Sequence, residues 1–169
     1  MSKPNTTDYP EYFGRYINQV LENDLNEAFE NQSLLIPKFL RSVSEEKSMH
    51  TYAEGKWTIK ELLQHLTDAE RIFNYRALCI ARKETVSLPS FDENIYAENS
   101  YANARDWHSL AEEFINLRTS TQDLYNSFNA EMLWQKGLAN GNTISVLSLG
   151  FITVGHFIHH KKIIEERYL

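Results

Sequence analysis

The sequence has one cysteine, four prolines and six glycines in 169 residues. Glycine and proline together stand at about half their usual share. So few backbone breakers leave little material for the turns of an all-β fold, and a helical protein is the expectation. The lone Cys79 cannot form an intrachain disulfide, and no CxxC pair offers thiolates to a metal. That cysteine usage fits a reducing, cytoplasmic setting. Positive charge is also in deficit, with 17 Lys and Arg against 23 Asp and Glu and a formal charge of −6. The basic residues are scattered, which argues against a counterion-releasing face for nucleic acid. The opening residues, MSKPNTTDYPEY, lack the apolar stretch of a secretory signal.

Long hydrophobic runs are missing too. No Asp, Glu, Lys or Arg occurs between Lys136 and Lys161, yet the apolar part is confined to Ile144–Val154 and is broken by Ser145, Ser148 and Thr153. Crossing a bilayer takes about 20 predominantly apolar residues, so this stretch reads as a buried core helix and no membrane association is expected.

What the chain does have is 42% hydrophobic residues, enough for a sizeable core in one domain. Residues 1–15 are polar, carry Pro4 and Pro10 and read as an arm, leaving 16–169 as the domain. A first helical pattern runs from about Ile17 to Val43 through Leu21, Leu25, Ala28, Leu35 and Phe39. Pro37 lies inside it and is expected to kink or split that helix about one turn earlier. The second helix starts at Thr58-Ile-Lys-Glu61, a capping box with Trp57 poised to staple onto Leu62, and runs to about Arg82. Residues 83–105 are irregular, with room for a short helix at Phe91–Asn99 capped by Ser90. Connections of this length usually do a job, such as covering a site. The third helix carries Trp107, Leu110, Phe114, Leu117, Thr121, Leu124 and Phe128 in steps of three and four. Residues 129–142 form a connection, and the fourth helix runs from a Thr143 cap to the carboxyl end. No segment reads as a strand. The fold class is therefore all-α, a four-helix bundle whose long inter-helix connections permit parallel neighbours, helices two and three above all.

The chemistry lies in the histidines. His156 and His160 are i and i+4 on the fourth helix, so their rings rise one above the other from one face. His159 is turned about 100° away from His160. His65 lies within about 60° of Leu62 and Ala69 on the second helix, at the inward side of its apolar stripe. A single histidine on such a face is usually a packed, hydrogen-bonded residue. A buried pair is costlier to leave without partners. Three histidines with an open fourth position form the ligand set of a catalytic zinc site. Phe157 follows His156 where an HExxH motif would need Glu, which argues against a zincin-type protease.

Three pieces of sequence carry a family resemblance: YAEGKWTIKELLQHLTDAERIFNYRAL (Tyr52–Leu78), LPSFDEN (Leu88–Asn94) with YANAR (Tyr101–Arg105), and GHFIHHKKIIEERY (Gly155–Tyr168). In this order and spacing they resemble the DinB-like superfamily, which includes the YfiT-type proteins. The resemblance implies a four-helix bundle of up-down-down-up topology, often homodimeric. It also implies a divalent metal, zinc or nickel, on His65, His156 and His160, with His159 outside the ligand set. Relatives include transferases and isomerases that use low-molecular-weight thiols. The activity implied is a metal-dependent thiol transferase acting on a small molecule. The alternatives are a metal-dependent hydrolase or a non-catalytic metal- or ligand-binding bundle. Pro37 departs from the straight first helix of that pattern.

Other groups are candidates for supporting roles. Asp68 and Glu61 share the face of His65 and can accept an imidazole N–H. Asp92 and Glu93 lie in the long connection and can reach a site mouth as a base. Arg71, Arg76 and Arg105 can bind carboxylates of an anionic substrate, although surface pairing is the commoner fate of arginine. Trp57 and Trp107 read as packing residues, and Cys79 as a small buried apolar one.

Overall fold

A computed structural model of the chain describes residues 2–169. After two 3₁₀ turns come α1 (Gly14–Ile17), α2 (Leu25–Arg41), α3 (Glu45–Ser48), α4 (Ile59–Ala81), α5 (Glu93–Asn99), α6 (Trp107–Asn126) and α7 (Ala130–Trp134). A hairpin, β1 (Lys136–Ala139) and β2 (Asn142–Ser145), then leads into α8 (Val146–Arg167). The four long helices α2, α4, α6 and α8 form the bundle.

Their directions follow from who touches whom. Leu40 and Gln32 of α2 meet Trp107 and Arg118 of α6, so these helices are antiparallel. Gln32 meets Val154, and Phe39 meets Phe157, so α2 and α8 run parallel. Glu70 and Asn74 of α4 bond Arg118 and Thr121 of α6, a parallel pair. His65 and Phe73 of α4 both reach His156 while Trp57 reaches Tyr168, which makes α4 and α8 antiparallel. The result is the up-down-down-up bundle.

One buried polar network fixes the register of all four helices. Arg118 Nη2 donates to Glu70 Oε2 at 2.8 Å, and Thr121 Oγ1 donates to Glu70 Oε1 at 2.6 Å. Arg118 also donates to Gln32, whose Nε2 donates to the Val154 carbonyl at 2.9 Å. Glu70 and Arg118 are both buried, and the guanidinium sits among the rings of Phe29, Phe114 and Phe157. Buried pairs of this kind add little net stability, but each partner is costly to remove.

Local signals explain the helix starts. Thr58 accepts from Glu61 N while Glu61 accepts from Thr58 N at 2.7 Å, the reciprocal box anticipated for α4. Asp24, Asp92, Asp106 and Ser145 cap α2, α5, α6 and α8. Four details differ from the sequence reading. The helical pattern breaks at residues 18–23, ahead of the Asp24 cap, and α2 runs unbroken through Pro37. The short helix in the long connection starts after Asp92, not Ser90. Residues 136–145 form a hairpin, closed by Asn140 and Gly141, both with positive φ. Thr143 therefore lies in β2, and Ser145 is the α8 cap.

The amino-terminal segment is docked. Asp8 is buried, takes Lys136 Nζ at 2.6 Å, and its carbonyl accepts from Ser148 Oγ at 3.1 Å. Gly155 lets α1 lie against α8, because a Cβ there would overlap the Tyr16 carbonyl. The first half of α8 is buried on every side, yet among the described residues no helix is long and apolar enough to cross a membrane.

Candidate metal centre

His65 stands two turns into α4, and His156 and His160 begin where the fully buried run of α8 ends. Antiparallel packing of these helices brings the three rings together. His156 Nε2 lies 3.1 Å from His65 Nε2 and 3.0 Å from His160 Nε2, and one ligand atom from each ring falls within 4.8 Å of the others. A ring nitrogen has one in-plane lone pair or one hydrogen, so His156 Nε2 can complete one linear bond and not two. A shared cation resolves that conflict. Tetrahedral zinc with Zn–N near 2.05 Å separates its nitrogens by about 3.3 Å, a few tenths more than the spacing found here. The donor set fits a divalent metal.

Burial keeps all three rings neutral. Desolvation pushes the His65 pKa down to about 4, with Glu93 opposing it slightly. His160 is pushed down to about 3 by burial and then by His65 and His159. His156, only 4% exposed, is lowered well below its ordinary value, by burial first and by its histidine neighbours next. Neutral imidazoles present lone pairs, the form a metal requires. Packing orients them: Trp57 lies 5.1 Å from His65, and Tyr16 meets His156 edge-on at 5.0 Å. His160 Nδ1 is buried with no hydrogen-bond partner, so that side of the ring is held only by packing against His65 and His159.

The triad opens onto a cavity of about 590 Å³, inside the usual range for small-molecule sites. One side is built by α4 and α8, through Ala69, Phe73, Arg76 and the triad itself, and the other walls come from three further segments: Tyr12, Phe13 and Tyr16; Ser90, Phe91 and Glu93; Asn140, Asn142 and Ile144. The long connection after α4 thus does cover a site. It is tied to the hairpin by Leu88 N donating to Leu138 O at 2.9 Å and Asn140 N donating to Leu88 O at 2.8 Å.

The supporting candidates divide sharply. His159 lies outside the triad, its Nδ1 3.2 Å from Gln19 Nε2. Glu61 is engaged by Thr58 N and Asn103 Nδ2, and Asp68 by Gln64 Nε2, so neither touches His65. Asp92 caps α5, whereas Glu93 lines the cavity. Arg71 and Arg105 both bind Glu113, at 2.6 and 2.5 Å. Arg76 lines the cavity. Cys79 is half-buried against the core, away from the site. Tyr16, Phe91 and the hairpin asparagines were not singled out by sequence. The Asn140-Gly141 pair between Leu138 and Ile144 is the one local signal that could have revealed their wall.

Comparison with known proteins agrees with this architecture. YfiT from Bacillus subtilis, described as a probable metal-dependent hydrolase with an unusual four-helix bundle topology, superimposes with a TM-score of 0.73. The match covers 97% of this chain and 90% of that one at 19% identity. A protein of Oceanobacillus iheyensis, named as a candidate metal-dependent hydrolase, is 29% identical over 58 residues, which is 34% of each chain. The match therefore spans about a third of that relative's length. The DinB superfamily model matches residues 28–164, and the chain belongs to the DinB superfamily.

Proposed function

We propose that the protein is a metal-dependent hydrolase of small molecules, with His65, His156 and His160 as the ligands of one divalent ion, zinc or nickel. The observation that carries this reading is the convergence of three histidine Nε2 atoms from two helices at the wall of a cavity. The names borne by the B. subtilis and O. iheyensis proteins support the same class of reaction. When bound, such an ion acts as a Lewis acid and lowers the pKa of a water or thiol at its open position. The protein's own residues do the rest. Trp57, Phe73 and Tyr16 pack around the imidazoles and hold their nitrogens toward one point. The docked connection and hairpin shield the reacting groups from bulk water. Glu93 is positioned at the cavity to accept or return a proton.

A second reading, thiol transfer, is favoured by one feature: among the described residues no carboxylate hydrogen-bonds the triad. Hydrolysis needs a proton delivered to its leaving group, whereas alkylation of a thiolate does not. Turnover separates the two. Zinc- or nickel-loaded protein should cleave members of an ester and amide panel without added thiol, and chelation should abolish that turnover. Turnover only when a low-molecular-weight thiol and an electrophile are supplied would select thiol transfer. Equal rates with and without chelator would overturn both.

A further inference from the structure

The cavity that meets the triad also meets a cation with no anion. Arg76 is buried, 6% exposed, and one of its terminal nitrogens, Nη2, donates to the Pro89 carbonyl at 2.6 Å. Its guanidinium carbon lies 5.9 Å from the centre of the Phe91 ring, and its Nε–H is buried without an acceptor. Among the described residues no carboxylate comes within ion-pairing distance of it. Arg118, the other arginine in the buried set, is paired with Glu70, and the more exposed Arg71 and Arg105 share Glu113. Guanidinium does not lose its proton in proteins, so burial cannot be relieved by neutralisation. An unpaired buried charge is among the costliest features a fold retains, and an anion from outside would remove that cost.

Its place on α4 gives the anion a role. Arg76 follows His65 by eleven residues, which returns it to within about 20° of the same helix face, on the order of 16 Å along the axis. Long side chains on a helix lean toward its amino end, here toward His65. Arg76 and the triad thus bracket the cavity along one face of α4.

We propose that Arg76 binds a carboxylate of the substrate, so that the protein acts on small carboxylic acids whose reacting group extends from Arg76 toward the triad. This deepens the reading above and rests on it for the cavity being the substrate site. The planar fork of guanidinium matches a carboxylate, and Nε–H supplies a donor already free of other partners.

The test is binding, not turnover, with hexanoate and its neutral isostere hexanamide as probes. Calorimetric titration uses wild-type, Arg76→Lys and Arg76→Gln proteins, each metal-free and zinc-loaded. Wild-type protein should prefer hexanoate by about tenfold or more; Arg76→Gln should lose the preference, and Arg76→Lys should keep part of it. The ¹⁵N signal of Arg76 Nε–H, assigned by its absence from Arg76→Lys, should move with hexanoate and stay with hexanamide. That signal decides the matter if Arg76→Gln does not fold. Equal affinity for acid and amide, a preference that survives Arg76→Gln, or no hexanoate binding with an unmoved Arg76 signal would overturn the proposal. Failure of the metal reading looks different: zinc is not taken up, while hexanoate still binds metal-free protein.

Discussion

His65 Nε2 and His156 Nε2 stand 3.1 Å apart across two antiparallel helices, close enough to share an ion and too crowded to share protons comfortably with His160. An ion there would link α4 to α8 and bind the folded chain far better than the unfolded one. Zinc at about 1,000 times its dissociation constant should therefore add about 4 kcal/mol, raising Tm by on the order of 10 °C for a chain of this size. Differential scanning calorimetry with zinc or with chelator measures the shift, and His65→Gln should remove most of it.

Stability of the metal-free protein should depend on pH through the same rings. His65 and His160 titrate near 4 and 3 when folded and near their ordinary value when unfolded. Between those values the unfolded chain carries protons that the folded chain refuses. Stability is therefore full above about pH 6.5 and falls as pH drops toward 4, by up to about 1.4 kcal/mol per pH unit for each imidazole. Urea midpoints at pH 7 and pH 5 should differ accordingly, and His65→Gln should shrink the difference. Equal midpoints would show that the rings are not buried neutral.

The Glu70–Arg118 pair should behave as a buried pair whose halves depend on each other. Arg118→Met leaves Glu70 charged and enclosed, and should cost about 3–5 kcal/mol in urea unfolding. Adding Glu70→Gln should recover part of that loss, so the double variant is more stable than the two single effects added together.

Gly155→Ala should disturb the site from outside it. The new methyl overlaps the Tyr16 backbone, so α1 must move off α8 and take the Tyr16 ring away from His156. A loss of about 1–3 kcal/mol is expected. The signature is a changed His156 ring resonance together with increased proteolysis near residue 18, while α4 and α6 keep their amide protection.

Much of the site was legible because it is built on helices with strong local signals. The Thr58–Glu61 box sets the start of α4 and hence the phase of His65, and four-residue spacing alone puts His156 and His160 on one face. The seam of α6 was as clear. The first helix misled, because α2 runs through Pro37 without ending and its start is set by a cap upstream. The actual break depends on the Asp24 cap and on Gly155 admitting α1, a contact 139 residues away for Tyr16. The hairpin was passed over because its strands are four residues long and half exposed, so they carry little periodicity. Which arginine stays unpaired was equally hidden, since Glu113 claims Arg71 and Arg105 only once α6 lies parallel to α4.

The most direct test is metal content by elemental analysis after equilibration with zinc and removal of free ion, for wild-type, His156→Ala and His159→Ala proteins. Wild-type and His159→Ala should each retain about one divalent ion per chain, and His156→Ala should lose most of it. Wild-type protein that retains none, or His156→Ala that retains as much, would contradict a three-histidine centre.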